Sequence, residues 1–302
     1  MEDSSNKIKR LKKEKGAVIL AHYYVNDEVQ AIADYVGDSY YLSKLAVTVP
    51  EKVIVFCGVS FMGESAKMLS PEKTIIMPDL LADCPMAHMA SAEKIAEVRA
   101  KYDDLAVVCY INSTAEIKKY VDVCVTSSNA IKIVKALPQK NIYFVPDENL
   151  GRYIARQVPE KNFIFNDGFC HVHDEIMSDE VEAVKAAHPN AKVLVHPECT
   201  LDVIDLADYV GSTSGIIEYA TNSKDEEFII GTEIGILYQL KQKNPNKKFY
   251  TVNAMQVCPN MKRITLEKVA FSLENMINQI EVDEPTRVQA VKSLEKMLEL
   301  SK

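Results

Sequence analysis

The chain has 302 residues, 47% of them hydrophobic and 26% charged, with 35 Lys plus Arg against 43 Asp plus Glu. That balance belongs to a folded globular protein and excludes a disordered or fibrous chain, while the net charge of −8 argues against nucleic acid as a partner, because phosphate backbones need a basic surface. No apolar run reaches the ~20 residues of a membrane span and the N-terminus MEDSSNKIKRLKKEKGA lacks the apolar stretch of a signal peptide, so the expectation is no membrane and a cytoplasmic location.

In chain order, a charged helix is predicted over residues 5–15. Short β-branched runs of the kind that form buried parallel strands follow at 17–23, 53–58 and 74–77. A second set lies at 105–111, 142–145 and 162–165, and a third at 192–196, 227–231 and 248–252. The first strands of the sets start 88 and 87 residues apart, and the 53, 142 and 227 strands 89 and 85 apart. Between these two strands each set carries a short segment ending in hydroxyls: Gly37-Asp38-Ser39, Thr126-Ser127-Ser128 and Gly211-Ser212-Thr213. The amphipathic stretch 265–279 and the segment 284–300, opened by Glu284-Pro285-Thr286, predict two closing helices.

The fold class expected is therefore α/β: three αβα sandwich units related by a pseudo-threefold axis, each a small parallel sheet, with the active site at their central junction. The unit boundaries are 1–83, 84–169 and 170–258, with the helices of 259–302 packing on the first unit. The alternative is one long α/β domain with irregular loops, since the residue identities of the three sets share little.

Seven cysteines, an odd number widely scattered and without a C-x-x-C pair, do not describe a disulfide framework. Cys57, Cys109 and Cys124 fall inside apolar strands and read as small core residues. Cys84, Cys170 and Cys258 are spaced by 86 and 88 residues, in phase with the repeat. Each follows the last strand of its unit, at the carboxyl edge where open α/β sheets bind ligands. Three thiolates on one centre suit a [4Fe–4S] cluster with three Cys ligands and one open iron. They also suit the start of a zinc site with His171 or His173 as fourth ligand. The cluster is preferred, because an open iron gives Lewis-acid chemistry.

The first strands end in His22-Tyr23-Tyr24, Tyr110-Ile111-Asn112 and His196-Pro197-Glu198. Residues two apart on a strand share a face, so His22 with Tyr24, Tyr110 with Asn112 and His196 with Glu198 project as pairs. With Ser39, Ser127 and Ser212 or Thr213 they predict a polar cup over the metal centre, suited to a small, multiply oxygenated anion. There is no GxGxxG and no P-loop, so nucleotide binding is unsupported.

These residues resemble the quinolinate synthase family. The likeness runs through Leu20-Ala21-His22-Tyr23-Tyr24, Gly37-Asp38-Ser39, Cys57-Gly58-Val59-Ser60-Phe61-Met62, Tyr110-Ile111-Asn112-Ser113, Phe144-Val145-Pro146-Asp147, His196-Pro197-Glu198-Cys199, Gly211-Ser212-Thr213-Ser214-Gly215 and Cys258-Pro259-Asn260-Met261-Lys262. The resemblance implies a transferase of NAD biosynthesis that carries the [4Fe–4S] cluster on Cys84, Cys170 and Cys258. It implies condensation of iminoaspartate with dihydroxyacetone phosphate to quinolinate, phosphate and two waters, the imine handed on by an aspartate oxidase or aspartate dehydrogenase. It further implies substrate contacts from His22, Ser39, Tyr110, Asn112, Ser127, His196, Glu198 and Thr213. Glu198, the one carboxylate among the strand-end pairs, is the expected base. His196 would orient a carboxyl group, and Tyr24 and Tyr110 would shuttle protons. Asp83, next to the first cysteine, departs from the family's usual small residue and bears on the cluster potential.

Overall fold

The structure is a computed structural model, and it describes residues 3–302. Three separate four-stranded sheets are present among these residues, and every strand pairing within them is parallel. The first holds β1 (Ala17–His22), β2 (Tyr35–Gly37), β3 (Val53–Cys57) and β4 (Thr74–Ile76). The second holds β5 (Leu105–Tyr110), β6 (Val123–Val125), β7 (Asn141–Val145) and β8 (Asn162–Phe165). The third holds β9 (Lys192–Val195), β10 (Tyr209–Val210), β11 (Glu227–Gly231) and β12 (Lys248–Thr251). In each sheet the order is second, first, third, fourth strand. The first strand thus lies inside the sheet with a helix layer on either side, which explains why all six residues of β1 are buried.

Register decides what meets at the carboxyl edge. His22 pairs with Gly37, Tyr110 with Val125, and Val195 with Val210. Each hydroxyl-bearing segment therefore starts level with the end of the neighbouring first strand. Two of these segments open helices of ten residues. Asp38 caps Ser39–Thr48 by accepting the Tyr41 N–H at 2.9 Å, and Ser212 caps Thr213–Asn222 by accepting the Gly215 N–H at 3.2 Å.

The C-terminal region differs from its sequence reading in two respects. The helix expected over 265–279 spans Leu266–Asn275 and stops where Met276 adopts φ 52°. The following segment instead satisfies the open edge of the first sheet: Asn278 O accepts from Met77 N, and Ile280 N donates to Ile75 O. Helix Leu266–Asn275 packs on Ser4–Lys15 and β3, but Glu284–Leu300 lies against β6, Ala115–Lys118 and Ala130–Ala136 as well as Ser60–Leu69. Placing all of 259–302 on the first unit is thus too narrow. The last helix buries Ala290, Leu294 and Met297 in the seam between the first two units, and one continuous apolar core runs through both. The third unit is built on two smaller cores, one of which includes Tyr23 of the first unit while the other packs against Tyr153 of the second.

Candidate active site

The carboxyl edges of the three sheets face a common cavity. It is lined by His22, Tyr24, Ser39, Tyr110, Asn112, Ser127, His196, Glu198 and Thr213, together with Cys84, Cys170 and Cys258. The strand-end pairs thus converge as their phase in the repeat requires. Ser212 does not join them; its hydroxyl is held by the helix cap, and Thr213 one residue on faces the cavity.

Two strand ends share one local device. The Nδ1 of His22 accepts the Tyr24 N–H at 3.2 Å, and Nδ1 of His196 accepts the Glu198 N–H at 3.3 Å. An acceptor at Nδ1 leaves the proton on Nε2 of each neutral ring. Burial holds both imidazoles neutral, with pKa values lowered to about 3 against the pull of Glu198. Burial likewise raises the phenols of Tyr24 and Tyr110, with the Glu198 charge adding to it, so both keep their protons.

Glu198 is 3% exposed. Burial alone would push its carboxyl up, but the adjacent His173 ring and the hydrogen bonds from His173 and the Tyr110 hydroxyl hold it below the usual range. The Nδ1 of His173 lies 2.9 Å from its Oε2. Nε2 of the same ring lies 2.8 Å from the Thr232 hydroxyl, which is 2.8 Å from the Tyr24 hydroxyl, itself 2.8 Å from Thr213. A continuous hydrogen-bonded chain therefore runs Thr213–Tyr24–Thr232–His173–Glu198–Tyr110 through all three units. Sequence reasoning placed His173 only as an alternative zinc ligand and missed Thr232. The one signal for His173 was its position three residues after Cys170, on the same helical turn.

Each cysteine introduces a short turn: Cys84 before Pro85–His88, Cys170 before His171–Asp174, and Cys258 just before Met261–Arg263. Backbone amides of Met86 and Ala87, of His173, and of Asn260 and Met261 face the respective sulfurs and favour thiolate. Burial outweighs them and raises all three thiols above their ordinary value, with Cys84 repelled by Cys258 and Cys170 by Cys84. The three sulfurs are thus neighbours that metal binding, by replacing their protons, would convert to thiolates. Among the described residues they do not form a set within 4.8 Å of one another, as ligands of a single ion would. The set within that distance is Cys170, His173 and Glu198, whose imidazole and carboxylate are already engaged in the hydrogen-bonded chain. The three thiols, brought to one cavity, are donors available to a metal group. The Asn112 Oδ1, buried without a partner, marks a further place prepared for a ligand donor.

Residues 6–299 match the family described as Quinolinate synthetase A protein. The chain belongs to that family. It is 54% identical over 300 residues to the quinolinate synthase of Caldicellulosiruptor bescii, and 53% identical over 300 residues to that of Clostridioides difficile, covering 99% of each chain in both comparisons. A quinolinate synthase from Fusobacterium nucleatum is 55% identical over 296 residues, 98% of this chain and 99% of that protein. No helix among the described residues is long and apolar enough to cross a membrane.

Proposed function

We propose that the protein is a quinolinate synthase, a transferase of NAD biosynthesis condensing iminoaspartate with dihydroxyacetone phosphate to quinolinate, phosphate and two waters. The observation that carries this reading is the convergence of Cys84, Cys170, Cys258 and all three strand-end pairs on one cavity, in a chain that belongs to this family throughout. Cys84, Cys170 and Cys258 would hold a [4Fe–4S] cluster with one iron free of protein ligands. When bound, such a cluster supplies Lewis-acid polarisation of a departing hydroxyl group.

The chain's own residues supply the rest. Neutral His22 and His196 offer Nε2–H donors, and Ser39, Ser127 and Thr213 offer hydroxyls, a set suited to the two carboxylates of an imino diacid. The carboxamide of Asn112 has an unused acceptor for an imine or hydroxyl proton. Glu198, held ionised, is the base that takes a proton from substrate carbon. Tyr110 donates to it, and the His173–Thr232–Tyr24 chain gives the proton a path away from the reacting atoms. The free space, about 70 Å³ for the centres of water-sized molecules, holds only a handful of waters. Admitting both reactants then requires the cavity to enlarge, by movement between units. Supply of the imine by an aspartate oxidase or aspartate dehydrogenase in a reducing, cytoplasmic compartment completes the reading.

The test is an anaerobic assay of iron-reconstituted protein with dihydroxyacetone phosphate and iminoaspartate generated in situ. Quinolinate should appear, from a brown protein that bleaches in air. Brown, iron-loaded protein that forms no quinolinate would leave a hydro-lyase of another substrate; colourless protein holding zinc would remove the cluster.

A further inference from the structure

The loop carrying Cys258 is held by charged groups to which no chemical step is assigned above. Glu233, wholly buried two residues past β11, accepts the Cys258 N–H on Oε1 at 3.2 Å and the Gly235 N–H on Oε2 at 2.6 Å. The ammonium of Lys262, four residues beyond the cysteine, sits 3.0 Å from Oε1 of Glu233 and donates to the Tyr24 carbonyl at 2.7 Å. From the first unit, the Asn26 amide donates to the carbonyls of Lys262 at 3.1 Å and Ile264 at 2.7 Å. Gly235 presses on the same spot. A Cβ there would stand 2.6 Å from the Tyr23 carbonyl oxygen and 2.7 Å from Tyr24 Cα, so the two backbones meet only because the residue is glycine.

Cys84 is supported differently. Its N–H is accepted at 2.8 Å by Asp83, the residue before it, which also takes the Ser60 hydroxyl and lies 2.6 Å from His88. All of that support is local to one carboxyl edge. The Cys258 loop instead depends on a buried ion pair whose members touch two units. Burial raises the Glu233 carboxyl, while Lys262 and the two amides work to keep it ionised. Such a pair is expensive to split, because either partner alone leaves a charge poorly compensated.

We propose that Glu233 and Lys262 are a positioning pair: they fasten the Cys258 loop to the Tyr23–Tyr24 backbone, so that the third thiol is presented to the shared centre only while the first and third units are closed on each other. The consequence for metal loading rests on the reading of Cys258 as a cluster ligand; the positioning itself does not. Cluster insertion and closure of this seam then become one coupled event, and the pair is a checkpoint on it.

The experiment uses metal-free, folded, reduced protein and follows iodoacetamide alkylation of Cys84, Cys170 and Cys258 separately by peptide mass. In Glu233→Ala and in Lys262→Met, Cys258 should react about tenfold faster, with Cys84 and Cys170 within about twofold of wild type. Glu233→Gln should fall between, because its amide oxygen can still accept the Cys258 N–H but carries no charge for Lys262. In iron-loaded samples the same variants should lose iron to a chelator faster, in the same order. Equal acceleration at all three thiols would make the pair a general stabiliser and overturn the proposal. So would a wild-type rate at Cys258 in a folded variant; if Glu233→Ala does not fold, Lys262→Met and Glu233→Gln decide. A wild-type chain that takes up no iron would sink the cluster reading instead, and the alkylation rates would still decide the positioning role.

Discussion

The first two units and the third are built on the same strand order but joined to the molecule in opposite ways. Units one and two share one apolar core, sealed by Glu284–Leu300. The third unit keeps its own cores, one of which reaches across to Tyr23 and Tyr24. The other core packs against Tyr153 of the second unit, and polar ties do the rest: Tyr110 to Glu198, Tyr24 to Thr213 and Thr232, Lys262 to Glu233, Arg156 to Asp205, and the Gln30 amide to the Gly235 carbonyl at 2.9 Å. An apolar seam makes a rigid platform, since separating it would expose close-packed surface. A polar seam can open by exchanging its neutral hydrogen bonds with water at little net cost, which leaves the charged ties at Glu198 and Glu233 as the ones that hold it. The difference points to the third unit as the part that moves, and it puts the reacting groups where movement can assemble them.

The largest expected effect tests whether the seam holds one shared centre. Cys84→Ser, Cys170→Ser and Cys258→Ser, in three different loops, should each lose the cluster and turnover. Cys57→Ser, Cys109→Ala and Cys124→Ala, set in the core of the platform, should keep iron when reconstituted anaerobically. Retention of about four irons with normal turnover by Cys170→Ser would break the assignment. Next in size, Glu198→Gln should keep iron and substrate binding while turnover falls roughly 10²–10⁴-fold. If steady-state rates stay within about threefold of wild type, the base lies elsewhere and Tyr24 or Tyr110 inherits the role.

Core truncations sharpen the contrast directly. Leu294→Ala should cost about 2–5 kcal/mol and speed hydrogen exchange in strands of both the first and second units. Ile229→Ala, of comparable cost, should speed exchange in the third unit alone; matched exchange throughout all three sheets would argue for a single cooperative body.

Acid should loosen the polar seam before the apolar one. His22 and His196 have folded pKa values of about 3, below the ordinary value of 6.5, so the unfolded chain binds more protons between those limits. Their contribution is complete above pH 6.5 and is lost as pH falls toward 3, about 2 kcal/mol each by pH 5. Glu198, held low, adds nothing to this loss above the ordinary carboxylate range. Chemical denaturation of metal-free protein should show the decline, and His22→Gln or His196→Gln should flatten it; an unchanged slope in both variants would remove the histidines as its source. The smallest effect separates two neighbouring hydroxyls. Ser212→Ala should cost about 1 kcal/mol through the lost cap and leave turnover near wild type, whereas Thr213→Val should lower turnover without comparable loss of stability.

Much of the fold was legible because parallel strands buried on both faces must be continuous β-branched runs, and those runs repeat. The cysteines and strand-end pairs were legible for the same reason: in a repeated sheet, equal phase means equal place on the carboxyl edge. His173 was only half visible, as a histidine near a cysteine, because its use depends on Glu198 and Thr232 arriving from elsewhere. Ser212 and Thr213 were indistinguishable as neighbouring hydroxyls until the cap fixed which one turned inward. The sequence by itself determined the three sheets, the phase of Cys84, Cys170 and Cys258, and the polar character of the cup, all set by local periodicity. Only the tertiary structure decided which seam is apolar and which polar, where Glu284–Leu300 lies, and that Glu233 and Lys262 bind the Cys258 loop to the first unit. Those are contacts between residues as much as 238 positions apart, and no local pattern of hydrophobicity or spacing encodes which distant surfaces will meet.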